Sequence, residues 1–206
     1  PVLLLRMVCT IRTYLQEVAA DGQMTFMWRH SQIAEAAVER YLNNRDKAPS
    51  YHKAMAEYFL DLWYDKPKPF TGNEKGVKRA VTAQPLYRNK TNSDGEIVGK
   101  TYNLRKLYEL PFHLMKSQQH DVLKKACLCN FGFVLAKISA SGIQAIVDDL
   151  QMALGMEPAD MDLKLLSDTL HLSSTALSKD PRQLASQIVG RLDTIIRQDK
   201  PVAPSD

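Results

Sequence analysis

The chain has 206 residues, 45% of them hydrophobic and 24% charged, which suits one large globular domain or two small ones. No stretch approaches the roughly 18 consecutive apolar residues of a membrane span, and the opening PVLLLRM is too short and wrongly flanked for a signal peptide. The formal charge of +4 disperses 27 basic residues among 23 acidic ones without a Lys/Arg block, which argues against nucleic-acid or membrane binding.

The absence of an initiator Met reads as a piece of a longer protein. Leu5, Val8, Ile11, Leu15 and Val18 recur every three or four residues, so Leu3 to Val18 predicts an amphipathic helix stopped at Gly22. Met24 to Trp28 is rich in strand-favouring types but short. Ser31 to Leu42 returns to a helical pattern, with Ile33, Ala37, Val38, Tyr41 and Leu42 on one side. In SYHKAMAEYFLDLWYD, Met55, Phe59, Leu62 and Trp63 form the expected buried stripe, and Ser50 is placed to cap the helix.

From Lys66 the texture changes to Pro, Gly and polar residues, the composition of loops or a hairpin. After Thr101 the helical pattern resumes for almost the rest of the chain. Leu104, Leu107 and Leu110 open one segment, which Pro111 is expected to kink or end. Val122 to Lys137 and Ile143 to Leu154 follow. Leu163, Leu166, Leu170 and Leu177 mark the next helix, and Leu184, Ile188, Leu192 and Ile195 the last. The predicted fold class is therefore mostly α, with helical hairpins stacked as an α-superhelix after the loop region. The expected boundaries are a first domain over 1–65, a loop or hairpin linker with a polar insert over 66–102, a helical domain over 103–197, and a tail over 198–206.

Chemical motifs are scarce. DGEIVGKT, Asp94 to Thr101, imitates a phosphate-binding loop, but Gly95 and Gly99 enclose only Glu96, Ile97 and Val98. A true loop of this kind needs one residue more, so that successive backbone N–H groups wrap the phosphates before a helix opens. A β-turn at Ser93-Asp94-Gly95 is the expected structure. There is no nucleophile elbow, zinc-binding His-Glu-x-x-His helix or EF-hand loop, so neither catalysis nor a metal site is expected within this chain. His52, His113, His120 and His171 are dispersed and read as surface or packing residues. Asp148 and Asp149, like Asp160 and Asp162, read as helix surface or caps. Cys9, Cys127 and Cys129 are an odd set, expected to be reduced in a cytoplasmic protein, and Cys127-Leu-Cys129 is too tight for a zinc knuckle.

Two stretches carry a resemblance. FMWRHSQIAEAAVERYL resembles the winged-helix part of NACHT-type signal-transduction ATPases, where an aromatic-rich strand runs into a histidine that opens a helix, with an acidic residue a turn later. His30 and Glu35 stand at those places. QPLY…YNLRKLYELPFHL, followed by DPRQLASQIVGRL, resembles the helical connector of NACHT and WD-repeat proteins, relatives of the telomerase-associated protein. Together the resemblance covers most of Arg6 to Leu192, interrupted by an insert, Arg88 to Lys100, whose polarity predicts mobility.

The resemblance implies a winged-helix domain followed by a helical connector, with a nucleotide-binding domain upstream and a WD-repeat propeller downstream. It implies ADP or ATP with Mg as cofactor of the parent protein, held by the upstream domain, and homo-oligomerisation on activation. His30 is then the candidate phosphate sensor and Arg29 a second candidate, whereas Glu35 carries no catalytic role. The chemistry is coherent: an imidazole can donate a ring N–H to a phosphate oxygen beside a helix N-terminus. On the residues alone, His30 could equally cap the helix or pack beside Trp28. Two other functions fit the same sequence. A winged helix can enter DNA through Gln32, Arg40, Asn43 and Asn44, although Glu35 and Glu39 would oppose phosphates. The helices from Thr101 to Arg197 could instead form a scaffold that grips a partner peptide.

Overall fold

A computed structural model describes residues 2–20, 23–43, 47–64 and 81–198. The protein is mostly α, with ten α-helices and two separate two-stranded sheets among those residues. Gly22, Asn44, Asp65, the 66–80 part of the linker and the tail from 199 onward lie outside them. Contacts gather the chain into two compact units, Pro1–Gln84 with Tyr108–Gln118, and Pro85–Leu107 with Gln119–Asp206.

The first unit opens with α1 (Val2–Ile11), which ends well before Val18. A 3-10 turn over Arg12–Tyr14 leads into β1 (Leu15–Ala20), paired antiparallel with β2 (Gln23–Trp28) in the register Leu15↔Trp28, Glu17↔Phe26. The expected long helix fails because Leu15 and Val18 keep helical spacing while a neighbouring strand supplies their backbone partners. Hydrogen bonding across a hairpin overrides a three-residue period. α2 (Ser31–Ala37) follows directly, and the expected helical stretch to Leu42 is completed by a π-helical turn over Val38–Leu42 that the periodicity does not indicate.

α3 (Ala48–Phe59) begins earlier than expected. Ser50 sits inside its first turn, where its hydroxyl donates to the Lys47 carbonyl, so it does not cap the helix from outside. The helix stops at Phe59, and Asp61 adopts a left-handed backbone with φ 61°. That stop breaks the anticipated apolar stripe: Phe59 is buried, Met55 and Leu62 are exposed, and Trp63 donates from Nε1 to Glu57 at 3.1 Å. Asp61 closes the turn by accepting the Gln84 backbone N–H at 2.6 Å, while Gln84 Nε2 donates to the Tyr58 hydroxyl at 2.7 Å. α4 (Leu104–Lys116) runs on through Pro111, and its Leu110, Leu114 and Met115 complete the core of the first unit with Ala56 and Phe59.

The second unit starts with the hairpin of β3 (Tyr87–Thr91) and β4 (Ile97–Tyr102). Its turn falls at the expected place. Asn92 Oδ1 accepts the backbone N–H of Asp94 and Glu96 at 3.0 and 2.8 Å, and Gly95 takes φ +82°, a conformation that glycine adopts without a Cβ clash. Gly99, Lys100 and Thr101 lie in extended β4 and not at a helix N-terminus, so the phosphate-loop imitation has no cradle.

Beyond it come α5 (His120–Leu123), α6 (Phe131–Ser141), α7 (Ile143–Met156), α8 (Met161–Leu172), α9 (Ser174–Lys179) and α10 (Leu184–Gln198). The continuous helix expected from Val122 to Lys137 is broken near Cys129, where Asn130 caps α6 by accepting the Phe133 N–H at 3.0 Å. Leu177, expected on the helix of Leu163, belongs to the separate α9, because the chain turns at Ser173. α6 packs on α7, α7 on α8, and α8 on α10. Their buried faces supply Phe133, Ile138, Ile146, Leu150, Leu170 and Leu184 to one core. Among the described residues no helix is long and apolar enough to cross a membrane.

Candidate functional site

The junction between β2 and α2 places Arg29 and His30 side by side at the end of a strand ladder. The Arg29 backbone N–H donates to the Tyr14 carbonyl at 2.8 Å, extending the β1–β2 pairing by one rung. His30 is the N-cap residue, extended at φ −123° and ψ 134°, and its carbonyl accepts from Ile33 and Ala34 at 3.2 and 3.4 Å. The backbone therefore opens the helix, and the imidazole makes no capping hydrogen bond. His30, Arg29 and Glu35 are all exposed, while Trp28 and Ile33 on either side are half-buried. Side-chain capping, one of the two ordinary readings of His30, is thus not realised.

Arg29 lines a concavity of about 550 Å³ with Cys9, Arg12, Thr13, Glu17 and Phe26; His30 is not among its lining residues. Arg12, which sequence reasoning passed over, lies 3.7 Å from Glu17 in an exposed ion pair. Such a pair contributes little to stability because water screens both charges. Arg12 carries no motif, and only the return of the hairpin brings it to Arg29.

The second unit holds an apolar groove of about 370 Å³ between α6, α8 and α10, lined by Phe131, Val134, Leu165, Leu166, Ile188 and Leu192, with Cys129 and Asp162 at it. The Lys124 ammonium bonds Asp160 at 2.7 Å and Asp162 at 2.9 Å beside it. Asp160 also caps α8, accepting from the N–H of Asp162 and Leu163. The bond to Lys124 holds the Asp160 carboxyl below the usual carboxylate range, and both aspartates raise the Lys124 ammonium. The cap reading of Asp160 is correct.

Asp149 corrects the surface reading. It is buried and paired with Lys137, whose side chain is completely buried one helix away. Burial pushes the Asp149 carboxyl upward against the pull of Lys137, and burial likewise raises the thiol of Cys127. All three cysteines are free, with Cys127 buried and Cys9 and Cys129 exposed.

Two of the four dispersed histidines come together. His52 on α3 and His113 on α4 meet with their Nδ1 atoms 2.8 Å apart, although 61 residues separate them in sequence. Nothing in the local sequence announces that contact. Among the described residues, no group of three or more His, Cys, Asp or Glu side chains could hold a metal ion.

No family model and no solved structure matches the chain. Curated proteins do. NACHT domain- and WD repeat-containing protein 1 is 32% identical in Mus musculus over 149 residues, 69% of this chain. The Homo sapiens protein of the same name is 29% identical over 157 residues, 74% of the chain. Human NACHT and WD repeat domain-containing protein 2 is 19% identical over 206 residues, 89% of the chain. The chain spans 9% of the length of the first two and 12% of the third. It is therefore a homologue of one segment of the NACHT and WD repeat domain-containing proteins.

Proposed function

We propose that the chain is a regulatory and structural module of a nucleotide-dependent molecular switch. In this reading the first unit is a winged-helix element that folds over ADP held by a nucleotide-binding domain upstream. The helical second unit transmits that state to a WD-repeat propeller downstream and to oligomerisation. The module is not itself an enzyme; ADP or ATP with Mg belongs to the parent protein, which works in the cytoplasm.

One observation carries the reading: an exposed imidazole stands at a strand-to-helix junction and makes no capping bond to its own helix. A ring N–H offered to a phosphate contributes about 1.5–3 kcal/mol, roughly ten- to a hundredfold in an equilibrium. That suffices to bias a closed state against an open one and is weak for a free-standing nucleotide site. Arg29 is the auxiliary group, one residue away, with its side chain turned toward the Arg12 concavity.

His30→Ala in the complete protein is expected to lower ADP retained through purification by roughly ten- to a hundredfold in affinity, and to raise basal assembly. Bound nucleotide is read by chromatography of the denatured protein and assembly by light scattering. Unchanged occupancy and mass would remove His30 from the sensor role. The apolar groove supports a second reading, in which the helical unit holds a partner peptide. Leu166→Glu would then abolish retention of a partner by the complete protein while leaving its bound nucleotide unchanged.

A further inference from the structure

We propose that His52 and His113 form a proton-sensitive latch between α3 and α4, closed while the pair carries at most one extra proton and released by the second. The latch is independent of nucleotide sensing at His30.

The contact itself sets this limit. With Nδ1 atoms 2.8 Å apart, one imidazole donates its Nδ1–H and the other accepts on a bare Nδ1. An additional proton is tolerated, because a charged imidazole donating to a neutral one keeps one hydrogen between the two nitrogens. A second proton puts hydrogens on both facing nitrogens and two positive charges in contact. A ring flip about Cβ–Cγ can turn one Nδ1–H away, but it breaks the Nδ1–Nδ1 contact and leaves the two positive charges side by side. Phe112 meets His52 edge-on at 5.7 Å, and Phe59 stacks on His113 at 6.4 Å with the rings 15° from parallel. Both imidazoles are half-buried against these rings, so two charges there are less well hydrated than in open water.

Charged groups around the pair do not reverse the balance. Lys116 on α4 acts on His52 and disfavours its protonation, whereas Glu109 on α4 favours that of His113. On α3, Lys53 is exposed beside His52, and Glu57 is engaged by the Trp63 indole. Burial is the largest influence on both histidines and lowers both, and a charge on His52 further lowers His113. A base depressed by folding leaves more protons on the unfolded chain, so stability rises with pH. The latch contribution is complete above the ordinary value of 6.5 and is lost as pH falls below it.

The test follows histidine side-chain NMR of the complete 206-residue chain from pH 8 to pH 4.5, with thermal unfolding and amide exchange over the same range. We expect His52 and His113 to titrate below 6.5 in two linked steps, and exchange in α3 to accelerate as the second proton binds. With two protons linked to unfolding, the folding constant falls up to ~100-fold per pH unit in that range. His52→Gln is expected to raise the midpoint of His113 and flatten the stability slope by about one proton. Independent titration of both histidines at 6.5 in the unaltered chain would overturn the latch, and that measurement stands whether or not the Gln variant folds. An unchanged midpoint for His113 in a folded His52→Gln variant would overturn it equally.

Discussion

At the scale of single residues, the second unit concentrates its electrostatic risk in one place. Lys137 and Asp149 are buried together between α6 and α7, where an isolated charge loses its hydration with nothing in return. Removing the cation alone leaves a buried carboxylate, so Lys137→Ala should lose about 3–5 kcal/mol. Replacing both partners with Lys137→Met and Asp149→Leu should recover most of that loss, because no buried charge is then left without its partner. Urea denaturation of the two variants decides the matter, and equal losses would show that the pair is not what the site needs. Acid should narrow the deficit of the single variant, since protonating Asp149 removes the stranded charge. The partnership of Asp160 is of another kind. It caps α8 and holds Lys124 near the surface, so Asp160→Ala should cost about 1 kcal/mol, the ordinary range for a lost cap.

At the scale of elements, the breaks between helices define the second unit as much as the helices do. Gly142 joins α6 to α7 with φ +82° and ψ 168°, a region that residues with a Cβ avoid. A Cβ built there meets no atom within 4 Å, so the cost of Gly142→Ala is purely conformational. We expect a loss of about 1–3 kcal/mol with unchanged helix content, measured by the thermal midpoint and circular dichroism. A normal midpoint would mean that the α6–α7 corner relaxes freely. Asn130 acts one corner earlier, where its side chain starts α6 after the π-helical turn at Lys124–Leu128. Both positions read as unremarkable polar or small residues inside a leucine-rich sequence. Their importance comes from ending one helix and starting the next.

At the scale of the whole chain, the two units interleave in sequence. α4 begins in one unit, with buried Leu107, and ends in the other, with buried Leu110 and Leu114. A fragment ending at residue 103 therefore loses the part of α4 that faces α3, including His113. Such a fragment should lack a cooperative unfolding transition, whereas one extended to residue 118 should gain it. Calorimetry of the two fragments tests the dependence, and a cooperative melt of the shorter one would show that α3 needs no help from α4. The homology to NACHT and WD repeat proteins spans a small part of those relatives, 9% of the length of each of the first two.

The sequence by itself determined the mostly α character, the strand before α2, the turn at Gly95 and the resemblance to the NACHT and WD-repeat proteins. Each depends on neighbours within a few positions: helical spacing, β-favouring side chains, an Asn-x-x-Gly turn, or a contiguous motif. It also set Arg29 and His30 next to each other, because adjacency needs no folding. Only the tertiary structure decided that Leu15 and Val18 belong to a strand, since that required β2 as hydrogen-bonding partner. The same is true of Arg12 beside Arg29, of Asp149 sunk against Lys137, and of two histidines sharing one proton-sized gap. A local pattern cannot encode such meetings, because their energies arise from burial and charge shared between segments far apart in the chain.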